Sequence, residues 1–329
     1  VTRLRGENNE GVLVALILLV VLGMGVIEPS FWSVQTLFNT VRSGLVDLTL
    51  ALGVLIVMIS GGIDVSFTAI AIFSGYATVA MMTGWGIDGT LWPFLAAAAV
   101  GVALGSLNAA VVGGFRLPTL ITTLGTGGAI RGALIAFIGS EAINILPGGL
   151  ESLARARLVD AGGAQLSALV IPVVALCVVL ALLLRGTVLG RSVYAIGGDI
   201  ESARRIGVRL GRTHTFVYLA AGLLAGIGGL LHVVLSRQAN PYDLVGSELD
   251  VIAAVVIGGA SIFGGRGSVL GTVLGVTLIA VIDNSLVQLG VPSAWQRLAV
   301  GLLVLGGVTL QVLGRRRHRA TPILAEAAR

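Results

Sequence analysis

The chain has 329 residues, 56% hydrophobic and only 11% charged, with 48 glycines and a formal net charge of +5. A soluble domain carries about 25% charged residues, so the composition excludes an ordinary water-soluble fold and predicts an all-α polytopic membrane protein. All 21 basic residues are arginine, and without lysine neither a GxxxxGK[ST] phosphate loop nor a Schiff-base enzyme can be built.

A hydrocarbon core of roughly 30 Å takes about 20 apolar residues per helix, and the apolar runs are too continuous for the alternating period of a membrane barrel. About ten transmembrane helices are expected, centred on Val12 to Val26, Leu45 to Ile59, Phe67 to Met82, Leu91 to Val112, Leu117 to Ile138, Leu166 to Leu184, Phe216 to Leu235, Leu249 to Phe263, Val269 to Leu289 and Leu298 to Leu313. The first run follows Arg3 and Arg5 without a clear small-residue cleavage site after Val26, so a retained helix is expected. Arginines gather in the segments that would be cytoplasmic with the N-terminus inside, including Arg116, Arg266 and a basic tail over 314–329 with Arg315, Arg316, Arg317 and Arg319. Both termini are therefore expected to be cytoplasmic. The same placement explains the net charge, so nucleic acid is not an expected partner. Cys177 lies alone in an apolar run, and His214, His232 and His318 lack metal-ligand spacing. No linker divides the chain, which reads as one transmembrane domain over 1–329.

Along the chain, the first break is Gly61 and Gly62, followed by Asp64 and Ser66. Broken helices in transporters line cavities. Asp64 has two readings: a buried acid with a transport role, or a cap, assisted by Ser66, for a helix beginning near Val65. Asn108 reads as helix cement. Arg131 would lie roughly 21 Å along a helix starting at Leu117; it either snorkels to water or pairs with an acid and fixes one side of a pathway, Asp47 being a candidate partner. The segment 139–165 is the longest expected outside loop.

Between Arg185 and Thr213 six arginines and two acids fall within 29 residues. Helix connections are usually 2 to 8 residues long, so this island is expected to touch something outside the membrane. Asp199 to Leu210 reads as one amphipathic helix, with Asp199 as N-cap, Ala203, Ile206 and Leu210 on one face, and Glu201 paired with Arg205 at i,i+4. Pattern alone leaves lipid head groups and a protein partner equally open for it. Residues 57–62 and 255–259 share a weak echo, both facing the same way. Gly264, Gly265 and Gly267 around Arg266 fit neither phosphate motif. Asp283 and Asn284 interrupt the ninth run well inside its apolar stretch.

The run TVLGRSVYAIGGDIESARRIGVRLGR resembles the cytoplasmic loop of sugar-importing ABC permeases of the ribose, xylose, arabinose and galactoside class. ISGGIDVS at 59–66, LPTLITTLGTGGAIRG at 117–132 and ELDVIAAVVIGGASIFGGRGSVLGTVLG at 248–275 resemble further motifs of that family in the same order. The resemblance implies a bacterial inner-membrane permease subunit, paired with a second copy or paralogue, that passes a small carbohydrate from an external sugar-binding protein into the cytoplasm. It also implies that ATP and magnesium are held by a separate ABC ATPase and not by this chain. The 185–213 loop would then hold a coupling helix, with Gly198, Asp199, Glu201, Ala203, Arg204, Arg205 and Gly207 at the ATPase contact. Family members often have asparagine where this chain has Asp199. Selection in the family rests largely with the binding protein, so pentose, hexose, deoxysugar, polyol or a sugar-like signal such as autoinducer-2 all stay open as substrate. Translocation-path candidates are Gly61, Gly62, Asp64, Ser66, Arg131, Asp283 and Asn284. A secondary transporter driven by an ion gradient is the alternative, since Asp64, Asp283 and Arg131 could serve one, but it leaves the arginine island unexplained.

Overall fold

The computed structural model describes residues 10–115 and 117–292, with isolated positions 295, 298, 301, 302 and 306 beyond them. The expected span Leu298 to Leu313 and the basic tail lie largely or wholly outside the described residues. The chain is a multi-pass membrane protein. Seven of its described helices are long and apolar enough to cross a bilayer, and a bent pair makes an eighth.

Helix α1 (Glu10–Ile27) leads through a short turn to α2 (Val34–Ile59), whose first turn is capped by the Ser33 hydroxyl accepting the Thr36 N–H at 3.1 Å. Then follow α3 (Phe67–Trp85), α4 (Trp92–Phe115) and α5 (Thr119–Ala133), the last extended by one π-helical turn over Leu134–Ile138. The long loop after it is not plain coil. It folds into α6 (Gly148–Arg155) and an antiparallel hairpin of β1 (Arg157–Ala161) and β2 (Ala164–Ser167), so the sixth apolar run starts as helix only at Val170. Helix α7 (Val170–Gly186) turns by 74° into α8 (Val188–Gly198), and α9 (Ile200–Arg205) follows at once. The chain crosses again in α10 (Leu210–Ser236), drops into the ten-residue α11 (Glu248–Ile257) and ends its described part in α12 (Val269–Gln288). The eighth expected run, Leu249 to Phe263, is thus too short a helix to span alone, because it stops at Gly258 and turns through 258–268.

Helix α10 is the centre of the fold, lying against α2, α3 and α4. Lipid tails are as apolar as the helices, so close van der Waals packing must hold them together, and small residues permit it. Gly101 and Gly105 of α4 face Gly222 and Gly226 of α10. A Cβ on Gly105 would stand 3.1 Å from the Gly222 Cα, and one on Gly101 would be 2.9 Å from the Gly226 Cα. One turn further, a Cβ on Gly75 of α3 would sit 2.7 Å from the Gly229 carbonyl oxygen. Spacing of four residues on both α4 and α10 makes this a GxxxG pair, which brings two backbones into contact. Helix α2 packs on the other side of α10 and is buried over most of its length.

Candidate functional site

Helix α2 stops at Ile59, and Gly61 turns the chain with φ +87°, a backbone angle that a side chain disfavours. Residues 62–66 then run outside any helix or strand before α3. Non-helical backbone inside a membrane protein must find its partners within the protein, and α5 supplies them. The Ile63 N–H donates to Thr119 Oγ1 at 3.0 Å and the Val65 N–H to Thr123 Oγ1 at 3.2 Å. Thr119 and Thr123 are one turn apart on the same helix face. Asp64 completes the arrangement: its Oδ1 accepts the Ser66 N–H at 2.7 Å and the Ser66 hydroxyl at 2.6 Å. Asn108 donates to Ser66 Oγ at 2.7 Å and accepts from Thr126 Oγ1 at 2.6 Å. Asp64 is 2% exposed. It does not cap a helix at Val65; α3 starts at Phe67, and Asp64 holds the main chain two residues on, as aspartate does in turns.

Above this break Arg131 of α5 neither snorkels nor meets Asp47. Its Nη2 donates to Glu248 Oε1 at 2.7 Å and to Thr68 Oγ1 at 2.8 Å, and the Thr68 hydroxyl also donates to Glu248 at 2.6 Å. One guanidinium therefore ties α3, α5 and the start of α11. The other Glu248 oxygen accepts the Gly246 N–H at 2.8 Å, which fixes the chain entering α11. Arg131 Nη1 is buried without a hydrogen-bond partner among the described residues. An unpaired buried donor of this kind is destabilising by about 1–3 kcal/mol, so it is suited to meet a water or a solute oxygen.

Asp283 and Asn284 face different surroundings although they are neighbours. Asn284 donates to Ser43 Oγ at 3.0 Å and to the Ala280 carbonyl at 2.9 Å, and it lines a cavity of about 440 Å³ with Asn39, Arg42, Ser43, His232 and Ser236. His232 Nε2 lies 2.9 Å from Asp243 Oδ2, and Arg42 donates to the Leu235 carbonyl at 2.9 Å. Amide, hydroxyl and imidazole groups converge in this cavity, a chemistry that suits hydroxyl-bearing solutes. Asp283 lies within electrostatic reach of Asp47 and Asp250 instead. The path candidates thus divide into Gly61, Gly62, Asp64 and Ser66 at the broken helix, Arg131 at the ion pair, and Asp283 and Asn284 on α12.

In the arginine island Asp199 is the N-cap of α9, its Oδ1 accepting the Ser202 N–H at 2.6 Å. That bond and the one from the Ser202 hydroxyl hold its carboxyl below the usual aspartate range. The helix is shorter than the expected Asp199 to Leu210. It ends at Arg205, Gly207 follows at φ +86°, and Leu210 already opens α10. Ala203 is buried while Ile206 is 77% exposed, so these residues do not share one buried face. Glu201 pairs with Arg204 at 3.8 Å rather than with Arg205. Ile200, Glu201, Arg204, Arg205 and Ile206 all stay open to solvent.

Just before α9 three backbones meet. The Gly265 N–H donates to the Ile59 carbonyl at 2.9 Å. A Cβ on Gly197 would collide with that carbonyl and stand 2.7 Å from Gly265 N, and one on Gly264 would be 2.7 Å from the Gly61 Cα. The ends of α2 and α8 and the turn between α11 and α12 therefore form one glycine junction, and the glycines around Arg266 serve it. Glu248, Thr68 and the Thr119 and Thr123 stripe were not singled out from the sequence, and Gly197 reads there, with Gly198, only as backbone freedom ahead of the helix at Asp199. The threonine spacing and the glycines flanking each motif were the available signals.

Residues 36–308 match the family model described as branched-chain amino acid transport system, permease component. The autoinducer 2 import system permease protein LsrC of Yersinia enterocolitica is 33% identical over 300 residues, 91% of this chain and 81% of its own length. The protein of the same name from Enterobacter sp. is 33% identical over 296 residues, 90% of this chain and 83% of its own. That from Yersinia pseudotuberculosis is 32% identical over 301 residues, 91% and 84% of the two chains. No solved structure matches the chain.

Proposed function

Because this chain belongs to the family of branched-chain amino acid transport system permease components, we propose that it is the membrane subunit of an ATP-binding-cassette importer for a small carbohydrate or sugar-like molecule. It sits in a bacterial inner membrane with ten spans and both termini in the cytoplasm, as a single permease domain, beside a second permease copy or paralogue. ATP and magnesium are bound on the partner ATPase, and an external binding protein delivers the solute. The import systems of the LsrC relatives act on autoinducer 2, a solute of the small, hydroxylated kind that the polar cavity at Asn284 suits.

The observation that carries the reading is the glycine junction. Helix α9 presents Glu201, Arg204, Arg205 and Ile206 to solvent directly beside the point where α2, α8 and the 258–268 turn touch backbone to backbone. A push on α9 by a closing ATPase would reach both interrupted elements, the break at Gly61 and Gly62 and the short α11, without an intervening flexible loop. Those two elements carry Asp64 with Ser66, and Glu248, the partner of Arg131 on α5, so the same push would rearrange the polar groups along the path. The 185–213 loop is in this reading the coupling loop, with Gly198, Asp199, Ala203 and Gly207 shaping α9 and its ends.

The test is uptake of labelled autoinducer-2, ribose and galactose into vesicles holding the whole complex and its binding protein. ATP enclosed on the ATPase side should drive accumulation of at least one of them, and a proton or sodium gradient alone should drive none. Accumulation driven by a gradient without ATP would overturn the proposal.

A further inference from the structure

At the elbow between α7 and α8 lies a groove of about 460 Å³ that the transport path does not use. Arg185 at the end of α7, Arg191 on α8 and Arg266 in the 258–268 turn line it together with Tyr194 and Ser268. Three separate elements thus bring guanidinium groups to one concavity. None of the three forms an ion pair among the described residues. Glu10 accepts the hydroxyl of the lining residue Ser268 at 2.8 Å. The groove is built rather than incidental, since the Tyr194 hydroxyl donates to the Gly267 carbonyl at 2.8 Å and the Gly271 N–H donates to Ser268 Oγ at 2.9 Å.

We propose that this groove binds a phosphate group, and that an anionic phospholipid of the cytoplasmic leaflet supplies it. Guanidinium forks match phosphate oxygens, and basic pockets between membrane helices on the cytoplasmic side hold anionic head groups. The lipid is favoured as the source by what borders the groove. Leu182 one turn above Arg185, Val188 on α8 and Leu270 beside Ser268 are each more than half exposed, an apolar strip along which acyl chains can lie. A phosphate held there bridges the α7–α8 elbow to the 258–268 turn, two of the three elements that meet in the glycine junction.

The test uses the intact complex transferred into nanodiscs of phosphatidylglycerol and phosphatidylcholine in equal parts, with retained lipid counted by native mass spectrometry. Phosphatidylglycerol should be retained over phosphatidylcholine, and each of Arg185→Gln, Arg191→Gln and Arg266→Gln should lower that preference about fivefold. Arg157→Gln, on the distant hairpin, should leave it unchanged. These arginines are solvent-facing, so the variants should fold, and Arg266→Lys should keep most of the preference. If inorganic phosphate stabilises the complex in an arginine-dependent way while phosphatidylglycerol is not enriched, the phosphate site stands and its lipid source is overturned. If the triple variant keeps the lipid preference, or loses the ATPase while lipid retention is untouched, the groove is not a phosphate site. The choice of leaflet rests on the orientation proposed above, but lipid retention is read without transport, so its failure would leave the importer reading standing.

Discussion

Gly197 stands so close to Ile59 that a single added methyl group would run into the Ile59 carbonyl, the same oxygen that accepts the Gly265 N–H at 2.9 Å. The next residue, Gly198, has open space where its Cβ would be. Two adjacent glycines therefore have opposite tolerances.

Gly197→Ala should destabilise the junction by about 1–3 kcal/mol, the usual range for forcing a methylene into a packed site, and should uncouple ATP hydrolysis from uptake. Gly198→Ala should be close to wild type. Thermal unfolding in detergent and the ratio of solute moved to ATP hydrolysed, measured on both variants, would check this. Equal behaviour of the two would contradict the junction.

Arg131 and Glu248 are each about one-fifth exposed and 2.7 Å apart. Removing one member of such a pair strands the other, so Arg131→Met should cost about 3–5 kcal/mol of stability. Arg131→Met combined with Glu248→Met should recover much of that loss yet remain inactive in uptake if Arg131 faces the path. A double-mutant cycle on unfolding, read with uptake, separates the two effects. Additive destabilisation would mean the pair is not coupled.

The Asp199 cap has a pH signature. Its carboxyl is held below the ordinary aspartate range by Ser202, so its contribution to α9 is fully present above that ordinary range and is lost as pH falls through the depressed folded value. Asp199→Asn keeps a cap without a titrating group, so its α9 should show no such acid dependence, while Asp199→Ala should lose the cap at every pH. Amide hydrogen exchange at Ser202 and Ala203 across acidic pH measures this directly. An acid response equal in wild type and Asp199→Asn would contradict it.

The GxxxG contact sets a fourth expectation. Gly222→Leu should prevent α4 and α10 from closing and sharply reduce the folded yield, since a Cβ there already meets the Gly105 Cα at 2.9 Å. Gly211→Leu on the same helix, where nothing lies within 4 Å, should express normally. Folded yield by size-exclusion chromatography decides between them.

The sequence made the membrane class and most helix positions legible, because long apolar runs have few other solutions in lipid. The exceptions have physical causes. The run from Leu249 to Phe263 is apolar apart from Asp250 and Ser261, yet Gly258 and Gly259 end its helix, and hydropathy is blind to that. The run from Asp199 to Leu210 carries a helical pattern that Gly207 interrupts. Polar groups were legible where a charge or an amide stood out in apolar surroundings, as at Asp64, Arg131 and Asn284. Partners were not: Glu248 is 117 residues from Arg131, and only the fold brings α11 beside α5. Gly197 reads from the sequence as turn freedom ahead of α9, whereas its role lies in the backbones it touches.

Docking of α9 on an ATPase, with its motion passed to the path, is what the proposed function requires. The most direct measurement is to extract the tagged chain from its native membrane in mild detergent, identify what copurifies, and repeat this with Glu201→Arg, Arg205→Glu and Ile206→Asp. All three side chains are solvent-exposed, so the variants should fold. A P-loop ATPase should copurify in stoichiometric amount with the wild-type chain and be lost from the variants. An ATPase retained equally by all three variants, or absent from the wild type, would contradict it.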